Sequence, residues 1–553
     1  MTRRIFVLLL LISLGVGSCV PAWGAGNTNA LSTPPVPISS PTPFQPVGST
    51  PQIVAPEISM TPSLPAQLWI SPAVPGSLRQ MVLASGLREV ADRSAADVIL
   101  DTTPGPGAET LAAVWVYALV VPFPTVADAI PADELRRFWT GQSQGLFSGR
   151  PILMAESTYQ GMVAIWGLPA PSAVRIAAEG ELLDTAWVER DAWAIVPFEA
   201  LEPRWKVLTI DQQSPLRNDF NPENYPLTIN YYFSPELAYL PSTNRDPSKL
   251  TVLVMTGVTA LVRATAARME ELGVLFPGRD IGHILRSADL THISNEIPFA
   301  SNCPFPNANS LSLQFCSDPD YIALLEDIGT DIVEITGNHF QDYGSEATLL
   351  TLDMYDQRGW PYYGGGRNLR DSLKAITLTH NGNQFAFIGC NPVGPGFAWA
   401  TSTQPGAAPC NDYGWMVAEI NRLEAEGYLV VATLQYNEYY IHTATETQVR
   451  DFGRLADAGA VIVSGSQAHF PQAMTFWGDS FIHYGLGNLF FDQMDIPVIG
   501  TRREFVDRHV FYDGHHISTE LLTFMLEDYA RPRPMTDYER RDLLEDIFAA
   551  SGW

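Results

Sequence analysis

At roughly 100 to 200 residues per domain, a chain of 553 residues holds more than one folded unit and is not a single small module. With 46% hydrophobic and 11% aromatic residues it can build buried cores, which excludes wholesale disorder. Its 33 Lys+Arg against 60 Asp+Glu leave a formal charge of −27, which repels a polyanion and argues against nucleic acid as a partner.

Arg3 and Arg4 precede an apolar run from Ile5 to Val16, short for a span of about 30 Å of hydrocarbon but right for a signal-peptide core. Export is predicted. Val16-Gly17-Ser18-Cys19 resembles a bacterial lipobox, so residues 1–19 read as a lipoprotein signal peptide with Cys19 as the lipidated residue. Ala22-Trp23-Gly24 is the rival cleavage site and would release a secreted protein instead. The expected location is therefore extracytoplasmic, lipid-anchored at the cell membrane, with secretion as the alternative. Residues 20–66, dominated by Pro, Ser and Thr, read as a disordered tether. The remaining cysteines, Cys303, Cys316, Cys390 and Cys410, are even in number and suit disulfides in an oxidising compartment. Of the three connectivities, Cys303–Cys316 with Cys390–Cys410 is preferred, because each bond closes a short loop containing Pro, Gly or Asn. CxxC spacing, the mark of a cysteine zinc site, is absent.

Residues 67–233 alternate apolar runs with helical patterns. Ala113 to Pro122 reads as a buried strand and Ala132 to Trp139 as a helix introduced by Pro131, which predicts an α/β domain. The segments Tyr117 to Pro122, Pro131 to Gly141, Trp193 to Phe198 and Tyr225-Pro226-Leu227 resemble periplasmic solute-binding proteins of the phosphate-binding type. That resemblance implies a small phospho-ligand, although no Gly/Ser/Thr-rich phosphate loop stands out. A polar joint, residues 234–249, leads to a second α/β domain over 250–498. Its expected strands include Leu250 to Met255, Thr330 to Thr336, Phe385 to Gly389, Tyr428 to Leu434 and Val461 to Ser464. Helices are expected at Gly344 to Arg358, Gly414 to Glu426 and Thr447 to Ala458. Residues 499–553 read as an extension packed back on this domain, with a strand or two and a short acidic helix near Tyr538 to Phe548.

Five motifs follow in order within the second domain. They are Thr256-Gly257-Val258-Thr259; Ala288-Asp289-Leu290 through Ser294-Asn295-Glu296; Thr336-Gly337-Asn338-His339 through Gly344; Leu434-Gln435-Tyr436-Asn437-Glu438; and Ser464-Gly465-Ser466-Gln467-Ala468-His469, closed by Tyr484 to Asp492. Together they resemble the CapA family of poly-γ-glutamate capsule proteins, over about Leu250 to Gln493. The resemblance implies a calcineurin-like metallophosphoesterase α/β/β/α sandwich and an anionic cell-envelope polymer as partner. It also implies a divalent metal (Mn, Fe or Zn) that activates water for hydrolysis or transfer, two-metal sites holding their ions about 3.5 to 4 Å apart.

Each motif falls where a strand ends, so side chains from several strands converge on one rim. Glu296, Asn338, His339 and His469 are the expected metal ligands, with Glu296 and His339 also the expected catalytic groups. Asp342 is expected to orient His339. Alternation along Leu290 to Glu296 puts His292 on the face of Glu296, which makes it an additional candidate. Glu438, with His442 beyond it, and Asp492 are further candidates. Family positions that usually carry ligands hold Val258, Gln435 and Gln467-Ala468 here, so one metal or none is expected in place of two. Arg263, Arg268, Arg367 and Arg370 are candidates to offset the chain's negative charge beside a polyanion. A non-catalytic ligand-binding lipoprotein with a degenerate sandwich is the second reading. A G-x-S-x-G elbow is absent, which argues against Ser/His/Asp catalysis.

Overall fold

The computed structural model describes residues 66–553 except 107, 109, 143–149 and 234–239. The signal peptide, Cys19 and the tether up to residue 65 lie outside the described residues. Among those described, no helix is long and apolar enough to cross a membrane.

In the amino-terminal half the apolar run becomes the long strand Thr110–Pro122, whose second half is fully buried. It is the axis of a mixed sheet, antiparallel to Ala194–Pro197 on one side and, in succession along the other, to Thr228–Phe233 and Trp205–Val207. Helix Ala132–Trp139 starts after Pro131, carries Asp133 and Glu134 in its first turn, and buries Leu135 and Trp139, four residues apart on one face. The joint is ordered where it is described. The Asn244 side chain accepts from Val116 N–H (2.8 Å) and donates to Val116 C=O (2.9 Å), and Thr243 bridges Val114, so the chain docks on the sheet edge in place of a free linker.

Two sheets face each other in the carboxy-terminal half. One runs in the order Tyr362–Tyr363, Ile332–Glu334, Leu290–Asn295, Leu250–Thr259, Arg503–Tyr512, His515–Glu527, Arg531–Pro534; its first four strands are parallel. The other has a parallel centre of Asn383–Cys390, Leu429–Gln435, Ala460–Ser466 and Ser480–His483. Leu253, Met255, Phe385, Phe387, Val431, Ile462, Phe481 and Phe505 fill the space between the sheets. Helices such as Gly344–Arg358 cover the outer face of the first sheet, and Gly414–Ala425 and Glu446–Asp457 that of the second. Strands buried on both faces read as continuous apolar runs, which is why Leu250–Thr259 and Leu429–Gln435 stood out in the sequence.

The tail departs from expectation. Strand Arg503–Tyr512 is no appended extension: it lies beside Leu250–Thr259, Leu250 opposite Tyr512 and Thr256 opposite Val506, in the middle of the first sheet. Helix Asp537–Ala550, opened by a Thr536/Glu539 capping box, buries Leu543, Leu544, Ile547 and Phe548. Phe123 of the amino-terminal half packs on Phe476, Phe481, Phe548 and Trp553, and Arg540 reaches Asp128, so the described residues form one compact unit. Cysteines pair as Cys303–Cys316 and Cys390–Cys410, the sequence-near connectivity.

Candidate functional site

Parallel strands of both sheets deliver their carboxyl ends to one rim. Glu296 follows Leu290–Asn295, Asn338 and His339 follow Ile332–Glu334, Gln435 ends Leu429–Gln435 and Ser466 ends Ala460–Ser466. Gly337 permits the approach of two of these loops. A Cβ there would lie 2.3 Å from the Glu296 carbonyl oxygen, so no larger residue fits without moving backbone.

Gln435 ties the rim together. Its amide Nε2 donates to Glu296 Oε1 (3.3 Å) and to Asn338 Oδ1 (3.1 Å), and its Oε1 accepts from Ser466 Oγ (2.9 Å). Behind it, Ser466 Oγ also lies 3.1 Å from Glu334 Oε1. Burial pushes the Glu334 carboxyl up, against opposing hydrogen bonds from Thr336, Ser466, Thr433 and Ser294, which favours the protonated acid. The single Ser466 hydrogen is shared between Glu334 Oε1 and Gln435 Oε1, and the Gln435 amide N–H group faces the two acceptors.

His339 donates from Nδ1 to Asp342 Oδ2 (2.7 Å), as expected, which leaves Nε2 as the ring nitrogen for a ligand. Burial disfavours its charged form. The Asp342 hydrogen bond and the fields of Glu296, Asp342 and Glu438 outweigh that, so its pKa lies above the ordinary histidine value. Phe315 packs on the ring (4.4 Å between centroids), and its N–H donates to the same Asp342 oxygen (2.8 Å). His469 donates from Nδ1 to Asn488 Oδ1 (2.7 Å), while Asn488 Nδ2 donates to Thr501 C=O and fixes the orientation. Its Nε2 lies 3.4 Å from Glu438 Oε1, which also accepts from Tyr440 Oη (2.8 Å). Gln467 and His469 have φ of 80° and 49°, a sparsely populated region for residues with side chains, costing about 1–3 kcal/mol each.

Glu296, Asn338, His339 and His469 thus surround one locus, and Glu438 joins them. His292 does not. Its Nε2 bonds Tyr363 Oη (2.7 Å) in the core between the sheets, and burial lowers its pKa to about 3. His442 is turned to the Pro471 carbonyl. Asp492 is committed to Arg263 and to the Ala264 N–H at the start of helix Arg263–Leu272. Arg263 itself lies over Phe315 and Phe491, while Arg268 pairs with Glu271 and Arg367 with Asp353 and Asp356, so these arginines are not a free basic patch.

The expected metal set does not fit a divalent ion. Among the described residues no group of three His, Cys, Asp or Glu is close enough to hold one. The Gln435 N–H group stands between the oxygens of Glu296 and Asn338. Sequence reading dismissed Gln435 as a poor ligand and missed it as a donor; it also missed Glu334, Ser466, Tyr440 and Asn488. Asn488 was within reach, since it follows the glycine of a motif already singled out.

Two facing sheets and outer helices make an α/β/β/α sandwich with a polar centre on the loops at the strand ends. Residues 252–493 match the family model described as bacterial capsule synthesis protein PGA_cap, and the carboxy-terminal half of the chain belongs to that family. Capsule biosynthesis protein CapA of Bacillus anthracis is 24% identical over 262 residues, 46% of this chain and 63% of that protein. PGA biosynthesis protein CapA of Bacillus subtilis (strain 168) is 26% identical over 212 residues, 38% of this chain and 55% of that protein. The chain thus spans less than two thirds of either relative. Among solved structures, an ABC-type phosphate transport receptor from Vibrio cholerae covers 32% of this chain and 88% of its own, with 12% identity and a TM-score of 0.26, too low to speak to fold or ligand.

Proposed function

We propose that the protein acts in the synthesis, anchoring or processing of an anionic capsule or envelope polymer of the poly-γ-glutamate class, outside the cytoplasm and held to the membrane through Cys19. The observation that carries this reading is the meeting of Glu296, Asn338, His339 and His469 at one rim within the family-matched segment. Two disulfides support an oxidising compartment. In this reading His339, with its raised pKa, presents Nε2–H to a polymer carboxylate or amide oxygen. Glu438, whose side chain is exposed at the rim, accepts hydrogen bonds from the polymer's N–H groups, Glu296 acts from behind through its field on His339, and His339 supplies local positive charge on a chain of net charge −27.

The test is titration of the purified full chain with poly-γ-glutamate of defined length, followed by sizing of the polymer. Binding that falls at least about tenfold in His339→Ala and Glu296→Ala, roughly 1.4 kcal/mol, is expected. Shortened polymer would establish hydrolysis. Binding with unchanged polymer length supports the second reading, a non-catalytic binder, which the amide bridge of Gln435 favours. No binding by the native chain would overturn both.

A further inference from the structure

A rim that gathers a carboxylate, an amide oxygen and two imidazoles invites a cation, yet the group at its centre is an amide N–H. We infer that Gln435 takes the place of a metal ion: its Nε2 bridges Glu296 and Asn338, so the site is organised by hydrogen bonds and binds its ligand without a divalent cation.

Three observations carry this. Nε2 lies 3.3 Å from Glu296 Oε1 and 3.1 Å from Asn338 Oδ1, so two oxygens that would face a cation face an amide donor. The amide cannot turn over freely, because its Oε1 is held by Ser466 Oγ at 2.9 Å; reversal would set that one oxygen against the acceptor oxygens of both Glu296 and Asn338. Gln435 and Glu296 are both nearly inaccessible (1% and 2% exposed), so water does not take over the pairing when the amide is lost. An ion entering here would have to displace two hydrogen bonds and then find a further ligand, and among the described residues no His, Cys, Asp or Glu triad completes the set. An amide N–H at this position offers a hydrogen to carboxylates where a metal ligand would offer a lone pair.

The inference rests on the Glu296–His339 rim being the working site, but metal content is measured apart from polymer binding, so either claim can fail alone. The full chain, purified without chelator, is assayed for Mn, Fe and Zn by elemental analysis, and its melting temperature is followed with EDTA and with added MnCl2 or ZnCl2. Expected for the native chain is less than about a tenth of an equivalent of metal and no shift with either treatment. Gln435→His should acquire about one equivalent of Zn or Mn and melt higher in its presence. Gln435→Glu, which sets a second carboxylate against Glu296, should likewise gain cation-dependent stabilisation and guards against a failure of the histidine variant to fold. Near-stoichiometric metal in the native chain, lost together with thermal stability on chelation, would overturn the inference. So would a folded Gln435→His and a folded Gln435→Glu that both remain indifferent to cations.

Discussion

Histidines occupy two regions of the sandwich, and their chemistry divides with position. At the rim, His339 and His469 each have Nδ1 fixed by a polar partner, and carboxylates lie nearby. Between the sheets, His292, His483 and His509 lie among apolar side chains, each about 1% exposed or less. Burial drives His292 to about 3 and His509 well below its ordinary value, whereas the field of three carboxylates raises His339. The same side chain is thus a neutral packing element a few residues before a strand ends and a candidate acid just past it.

Acid is the strongest way to break this contrast. Groups with depressed folded pKa values leave the unfolded chain binding more protons below about 6.5, so His292 and His509 contribute stability that is present above that pH and lost as pH falls. The expected loss is up to about 1.4 kcal/mol per pH unit for each imidazole, read from urea unfolding between pH 6.5 and 4.5. His339 has the opposite sign. Its raised pKa contributes stability below about 6.5 that disappears as pH rises through the folded value, and His339→Gln should remove that limb alone.

Next in size is His483→Ala, which strands Asp507 in the core, where Nδ1 and Oδ2 are 2.6 Å apart and both side chains are 1% exposed; about 3 kcal/mol or more should be lost in the same unfolding measurement. Asp342→Asn should lower the His339 pKa, followed by NMR titration of the ring; a stationary value would show that Asp342 does not hold its charge. Smallest in stability is His339→Ala, expected to cost about 1 kcal/mol or less while polymer binding falls, a separation that a packing histidine would not give.

What the sequence made legible follows the same division. Apolar strands such as Leu250–Thr259 and helices such as Gly344–Arg358 could be read because their residues are of one kind and their local propensity agrees with their burial. The central strand Arg503–Tyr512 was harder, because it buries Glu504, Asp507, Arg508 and His509, and polar residues disguise a sheet interior. Motif order placed Glu296, Asn338, His339 and His469 at the ends of neighbouring strands, where Gln435 links the first two. For His292 it left a core role and a rim role open, since alternation fixes which face a residue occupies but not how far it stands from the rim. The part played by Gln435 depends on three chain segments meeting, so no local pattern carries it.

The Cys303–Cys316 bridge closes a segment whose last residues grip Asp342: Gln314 Nε2 donates to its carbonyl at 2.6 Å and Phe315 N–H to its carboxylate. The carboxylate that orients His339 is therefore shared with a covalently fastened ring of chain. Cutting that ring by reduction is expected to loosen the hold on Asp342 and, through it, on His339.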